Sequence, residues 1–418
     1  MEFPKMIRIK QKFEHKALTN ITGEITAQID RLNLEQQVKP GQSVAVACSS
    51  RGLANYGTIV QSVIASLKDL GLMPFIVPAM GSHGSATAPG QKSVLEHLGV
   101  TEELTGAPIR SSLEVVKVGE TNFGLPVYVD KLASEADCIV PINRIKKHTD
   151  YEGEIESGVM KIMTIGLGKQ VGAETYHRAT FEHGYYKVIL EVARKVLQIM
   201  NILFGVGVIE DSYAQTSSVH VLLAEEIEER ERELLKIAKQ LSAGLPFEDV
   251  DVLIIDEMGK DISGAGFDTK VVGRINLPLF TKEPESPRVK RIIACDLTEE
   301  TEGNASGLGN ADFITQRLMD KTDIYATNMN CISSCTPEGA KIPPVMKNDR
   351  EALEEAIKCV GMIPLDRLRI MRIKNTLHLD EIEVSEAFLE EILTREDLEI
   401  ITHERPIAFD KKDNLEPF

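Results

Sequence analysis

Residues 43–52 read Ser43-Val44-Ala45-Val46-Ala47-Cys48-Ser49-Ser50-Arg51-Gly52. The five successive apolar residues Val44 to Cys48, without polar alternation, suit a strand buried on both faces, and such strands belong to parallel sheets covered by helices on each side. Residues 55–70 follow, with Ile59, Val60, Val63, Ile64 and Leu67 at helical spacing and Gly71 as the stop. The same alternation continues outward. A strand at 74–80 (PFIVPAM) ends at Gly81-Ser82-His83-Gly84, and a helix is expected over 88–98. Residues 136–142 (ADCIVPI) make a third buried strand, and 185–200 an amphipathic helix. Two further strands at 204–210 and 218–224 precede a charged helix at 225–244 whose Glu/Arg run reads as a solvated face.

Alternation restarts at 250–256 (VDVLIID) and 289–297 (VKRIIACDL), with helices near 311–321 and 350–360. A chain of 418 residues is too long for one ordinary core. The expected architecture is therefore α/β: two domains, 1–245 and 246–418, each with its own largely parallel sheet, and a site in the cleft between them.

Bulk properties narrow the partners. The formal net charge is −17, which argues against general nucleic-acid binding because phosphate neutralisation needs a cationic surface. No apolar run approaches the ~20 residues that cross a bilayer. Residues 1–12 alternate basic and apolar types without a signal-peptide core, so the protein is expected to be cytoplasmic. Six cysteines in so long a chain do not form a disulfide framework, and Cys48, Cys138 and Cys295 read as small buried hydrophobes within strands. A small-molecule substrate is expected; the sequence leaves oligomeric state open.

In open α/β sheets ligands bind beyond the carboxyl ends of the strands, and polar residues collect there. Arg51 follows the first strand, His83 the second, and Arg144, Lys146, Lys147 and His148 the third. Asp256, Lys260 and Asp261 take the same place after residues 250–256. A histidine between glycines serves equally as a turn residue leading into a helix or as an exposed imidazole that exchanges protons near neutral pH. His148 lies in a basic run where a surface histidine is the plainer reading, and the same holds for His177 at the end of a short helix. The stretch Ser157-Gly158-Val159-Met160-Lys161-Ile162-Met163-Thr164-Ile165-Gly166-Leu167-Gly168-Lys169 places Lys161 in apolar, glycine-bounded surroundings. Partial desolvation there eases deprotonation and suits covalent attachment to a carbonyl or thiocarbonyl carbon. Gly166 and Gly168 allow backbone N–H groups to approach a phosphate, although GLGK lacks the full spacing of a phosphate-binding loop.

Four ordered elements together resemble the nickel-dependent lactate racemase family: SSRG at 49–52, GSHGSAT at 81–87, KKH at 146–148, and SGVMK at 157–161 followed by AETYH at 173–177. Asp268-Thr269-Lys270 is a fifth, weaker match. The resemblance implies a nickel-pincer nucleotide (nickel pyridinium-3,5-bisthiocarboxylic acid mononucleotide), tethered through Lys161 and completed by His177 as the nickel ligand. It implies His83 and His148 as the two proton-handling groups. Arg51 and Lys270 would hold the cofactor phosphate or the substrate carboxylate, Lys260 would bind substrate, and Gly158, Gly166 and Gly168 would border the nucleotide. The implied reaction is inversion at C2 of a 2-hydroxy acid by hydride transfer to and from the cofactor ring, which avoids direct removal of a very weakly acidic proton.

Three departures direct the substrate away from lactate, towards a longer acid such as a sugar acid. The interval between His148 and Lys161 is longer, through residues 150–156; the run Lys260 to Phe267 is polar where the family is aromatic; and tryptophan is absent. Competing readings are a metal-dependent hydrolase, a non-catalytic small-molecule-binding homologue, and an ordinary pyridine-nucleotide oxidoreductase. The last lacks the required G-x-G-x-x-G turn after the first strand.

Overall fold

The computed structural model describes residues 1–50, 52–275 and 282–418. It divides into two compact units, His15–Ser242 and a second made of Met1–Glu14 with Ala243–Phe418.

In the first unit the run Ser43–Cys48 is a central strand. Its side chains alternate between two cores: Val44, Val46 and Cys48 enter one, and Ala45 and Ala47 the other. Small residues face the layer that holds the Lys161 segment, so that segment packs close to the sheet. The strand order is Met73–Pro78, Ser43–Cys48, Cys138–Arg144, Phe204–Glu210, Thr216–Leu223. The first four run parallel and the last antiparallel. Helices Ile21–Arg31 and Tyr56–Asp69 supply one covering layer, and Tyr185–Ile199 with Ile227–Gln240 the other. Each covered face removes apolar surface from water, about 1.5–3 kcal/mol for a fully buried aliphatic side chain.

The second unit has an eight-stranded sheet in the order Val345–Met346, Phe313–Thr315, Arg288–Leu297, Asp249–Met258, Ile370–Ile373, Glu381–Ser385, Met6–Gln11, Leu398–Arg405. The first five strands are parallel neighbours and the remaining pairings antiparallel. The expectation of an unbroken unit over residues 1–245 differs here. Strand Met6–Gln11 sits between Glu381–Ser385 and Leu398–Arg405, with Ile7 and Ile9 fully buried. Its alternation marks a strand, but nothing local names partners so far along the chain. The expected helix near 311–321 is likewise shorter. Phe313–Thr315 is a strand beside Arg288–Leu297, and Thr315 then caps helix Gln316–Lys321 by accepting from Leu318 N. Strand Asp249–Met258 also runs two residues beyond Asp256, so that carboxylate lies inside the sheet. There Arg372 grips it through two bonds of 2.8 Å.

Candidate functional site

Three parallel strands of the first unit end on one edge of its sheet, and their next residues carry the expected chemistry. Ala79 N donates to Cys48 O (2.7 Å), which holds the ends of two of these strands in step. The chain then turns through Gly81 and Gly84, with φ of +60° and +66°. At Gly84 a Cβ would stand 2.6 Å from Gln91 N, so both the conformation and the space demand glycine. His83, half-buried between them, shares a short hydrogen bond through Nδ1 with Ser50 Oγ. The SSRG and GSHG elements therefore meet. Arg51 itself lies outside the described residues.

The third strand leads to Lys146, whose N–H donates to Ser157 O (3.1 Å), while Asn143 Nδ2 donates to Gly158 O (2.7 Å). These two bonds lay the start of the Lys161 segment against the strand end. His148 follows on a loop organised by Glu156, whose buried carboxylate accepts from His148 N (2.6 Å) and Gly153 N (3.2 Å). Asp150 N donates to His148 Nδ1 (3.0 Å), so the neutral ring bears its proton on Nε2. The extra residues 150–156 have a structural use. Tyr151 is buried, donates to Glu156 O (2.5 Å), and stacks on Tyr185 with centroids 5.1 Å apart. The His148 ring lies 4.4 Å from Tyr151 and 6.1 Å from Tyr185, and the His177 ring lies 6.3 Å from Tyr185. Tyr185 thus joins the two histidines in one aromatic cluster.

Lys161 ends the helical turn Val159–Lys161, which continues as a wide π-type turn over Ile162–Gly166. Such turns recur at functional sites because they re-aim side chains without ending the helix. Thr164 Oγ1 donates to Ile189 O (3.0 Å), anchoring the wide turn to the neighbouring helix. Glu231, fully buried, accepts from Met160 N (3.0 Å) and caps the turn. Burial pushes its carboxyl up to about 7, with the N–H groups of Met160 and Val159 pulling the other way. Helix Lys169–His183 then carries His177. A Cβ on Gly81 would meet Ile165 at 3.2 Å and Ala173 at 3.4 Å. These residues are one turn from Lys161 and His177, so the His83 loop rests on the side of the segment that bears both.

Gly158, Gly166 and Gly168 are each closed in by protein. A Cβ would come within 2.5 Å of Glu231, 2.6 Å of Ala79 O and 2.7 Å of Thr164 O, respectively. Close packing accounts for glycine at all three. Lys169, the lysine of GLGK, is completely buried in an ion pair with Asp130.

Lys260 and Lys270 belong to the other unit. Lys260 Nζ donates to Gly264 O (3.0 Å) and Asn330 Oδ1 (2.7 Å). Lys270 sits in the short helix Thr269–Val272, capped by Asp268. Asp261 accepts from Thr298 Oγ1 (2.6 Å), and Ser263 is buried. Lys260 and Asp261 therefore bond within their own unit, whereas the buried Ser263 Oγ meets no hydrogen-bond partner among the described residues. Among the described residues no group of three His, Cys, Asp or Glu side chains could hold a metal ion, and no helix is long and apolar enough to cross a membrane.

Sequence reading missed Ser50, Tyr151, Tyr185, Gln91 and Glu231. Tyr185 carried a weak signal, opening a helix already recognised as amphipathic. Ser50, Gln91 and Glu231 act with partners distant in sequence, His83, Lys169 and Met160 respectively, while Tyr151 bonds within its own loop and stacks on the distant Tyr185.

A search of curated protein sequences gives no significant match. Among solved structures the chain is similar to the lactate racemase apoprotein from Thermoanaerobacterium thermosaccharolyticum. The identity is 14% and the TM-score 0.53, over 89% of this chain and 99% of that one. At that identity the likeness shows a shared fold, an α/β protein with two mixed, mostly parallel sheets. Residues 5–187 match the family described as the lactate racemase N-terminal domain, a span that contains Ser50, His83, His148, Lys161 and His177. This part of the chain belongs to the lactate racemase N-terminal domain family.

Proposed function

We propose that the protein is a racemase or epimerase that inverts C2 of a 2-hydroxy acid, with a nickel-pincer nucleotide tethered at Lys161. The observation that carries this reading is the meeting of the His83 loop, at Gly81, with Ile165 and Ala173, one turn from Lys161 and His177. The residues fit such a group. A metal gripped mainly by its own organic ring needs a single protein imidazole, and a cluster of three protein ligands is not required. Half-buried Lys161, on a helical turn with a buried cap, is held as a tethering amine should be.

Lys161 would form the covalent link, and His177 would supply the imidazole to nickel. When bound, the cofactor would supply a ring able to take up and return the C2 hydrogen as hydride. His83 and His148 would take and return the proton of the substrate hydroxyl. Ser50 at His83 Nδ1 and Asp150 N at His148 Nδ1 fix the ring orientations this needs. The aromatic wall of Tyr151 and Tyr185 would limit water beside His148.

The test is intact-protein mass after co-production with a cofactor-synthesising pathway, joined to inversion assays on a panel from lactate to aldonates. The expected result is a nucleotide-sized mass increment and nickel in the wild type, both absent in Lys161→Ala, with inversion of at least one panel member. An increment retained in Lys161→Ala would sink the proposal. So would zinc in place of nickel together with hydrolase activity, which is the competing reading.

A further inference from the structure

Lys169 is a buried ammonium that no step above uses. Its Nζ lies 2.8 Å from the carboxylate of Asp130, also fully buried, and it donates to Pro78 O and to Gln91 Oε1 (3.3 Å). Its backbone adopts φ of +52°, a conformation disfavoured by about 1–2 kcal/mol for a residue with a Cβ. A solvent-facing lysine could open helix Lys169–His183 without that strain or the desolvation.

The consequence falls on Gln91, which is completely buried. An ammonium only donates hydrogen bonds, so Gln91 must turn Oε1 towards Lys169. Nε2 must then face the opposite way, where it donates to Gly81 O (2.9 Å) and His83 O (3.2 Å). A reversed amide would set N–H against the ammonium and oxygen against two carbonyls. Lys169 therefore holds the amide from its oxygen end, and the amide clamps the carbonyls on both sides of Ser82. The Asp130 end is tied to the same segment, since Asp130 N donates to Leu167 O (2.7 Å).

We propose that Asp130, Lys169 and Gln91 form a buried positioning relay that holds the His83 turn in register with the helix carrying Lys161 and His177. Its catalytic meaning rests on the function proposed above; the relay itself is a property of the protein without cofactor. None of the three is placed against substrate, so they are positioning residues.

Two variants test it. Gln91→Leu removes the clamp while leaving Lys169 its bonds to Asp130 and Pro78. Lys169→Met with Asp130→Asn removes both charges and takes away the donor that holds Gln91 Oε1. On cofactor-free protein, the ring-nitrogen resonances of His83 and amide hydrogen exchange over residues 81–85 are measured. In both variants the His83 resonances should move and exchange at 81–85 should quicken about tenfold or more, the order expected from losing buried hydrogen bonds. His148 resonances and exchange in strand Phe204–Glu210 should stay as in wild type. In loaded enzyme kcat should fall about tenfold with KM within about twofold and the mass increment on Lys161 intact. Unmoved His83 resonances, or exchange rising evenly across the unit, overturn the relay. If the double variant does not fold, Gln91→Leu decides alone. A wild type without the Lys161 increment would sink the functional reading and leave the relay standing.

Discussion

At the scale of single residues, the two candidate bases are held by different devices. His83 is set by a serine hydroxyl at Nδ1 and by the clamp on its carbonyl, and both partners come from elsewhere in the first unit. His148 is set by its own loop, through Glu156 at its N–H and Asp150 N at Nδ1. If each handles the substrate proton in one direction, His83→Asn and His148→Asn should each lower inversion by roughly 10²–10⁴-fold. The mass increment on Lys161 should persist in both. Progress curves started from either stereoisomer check this, and full activity in either variant would remove that histidine from the mechanism. GLGK illustrates the limit of local reading. Its lysine lies in a glycine-rich run that invites a phosphate, yet Asp130, which claims it, lies 39 positions earlier in the chain.

At the scale of elements, the capped turn Val159–Lys161 depends on Glu231 from helix Ile227–Gln240. An exposed glutamate titrates near 4.3, whereas burial holds this one at about 7. Between those values the folded protein binds a proton that the unfolded chain has released. Stability therefore falls as pH rises through about 4.3 to 7, by on the order of 4 kcal/mol at most. Glu231→Gln keeps an acceptor for Met160 N and removes the charge. Its melting temperature relative to wild type should rise by several degrees between pH 5 and pH 8, as read by thermal unfolding. A constant difference across that range would show that Glu231 does not titrate there. The strand ends were legible in the sequence because a buried parallel strand is a short apolar run, and the residue after it is the first free to be polar. The π-type turn was not, since it differs from an ordinary helix only in which carbonyl each N–H meets.

At the scale of the whole molecule, the chain begins in one unit, crosses to the other and returns. Strand Met6–Gln11 pairs on both sides within the second unit, burying Ile7 and Ile9. Loss of those two side chains alone costs about 3–6 kcal/mol, comparable to the net stability of a domain. A fragment of residues 15–242 should melt cooperatively by itself. A fragment of residues 243–418 should not, unless a peptide spanning residues 1–14 is supplied. Circular dichroism melts of the three samples check this, and cooperative unfolding of residues 243–418 alone would show that the strand is dispensable.

The sequence by itself determined the α/β class, the central strands and their polar ends, and the family resemblance. All of these are written in short runs whose periodicity or order needs no partner. Only the tertiary structure decided which sheet receives residues 6–11, that Lys169 faces inward, and that Gln91, Glu231 and Tyr185 support the candidate site. Each of those outcomes depends on burial and hydrogen bonding between segments far apart in the chain, and the energy of such contacts has no local trace in residue order.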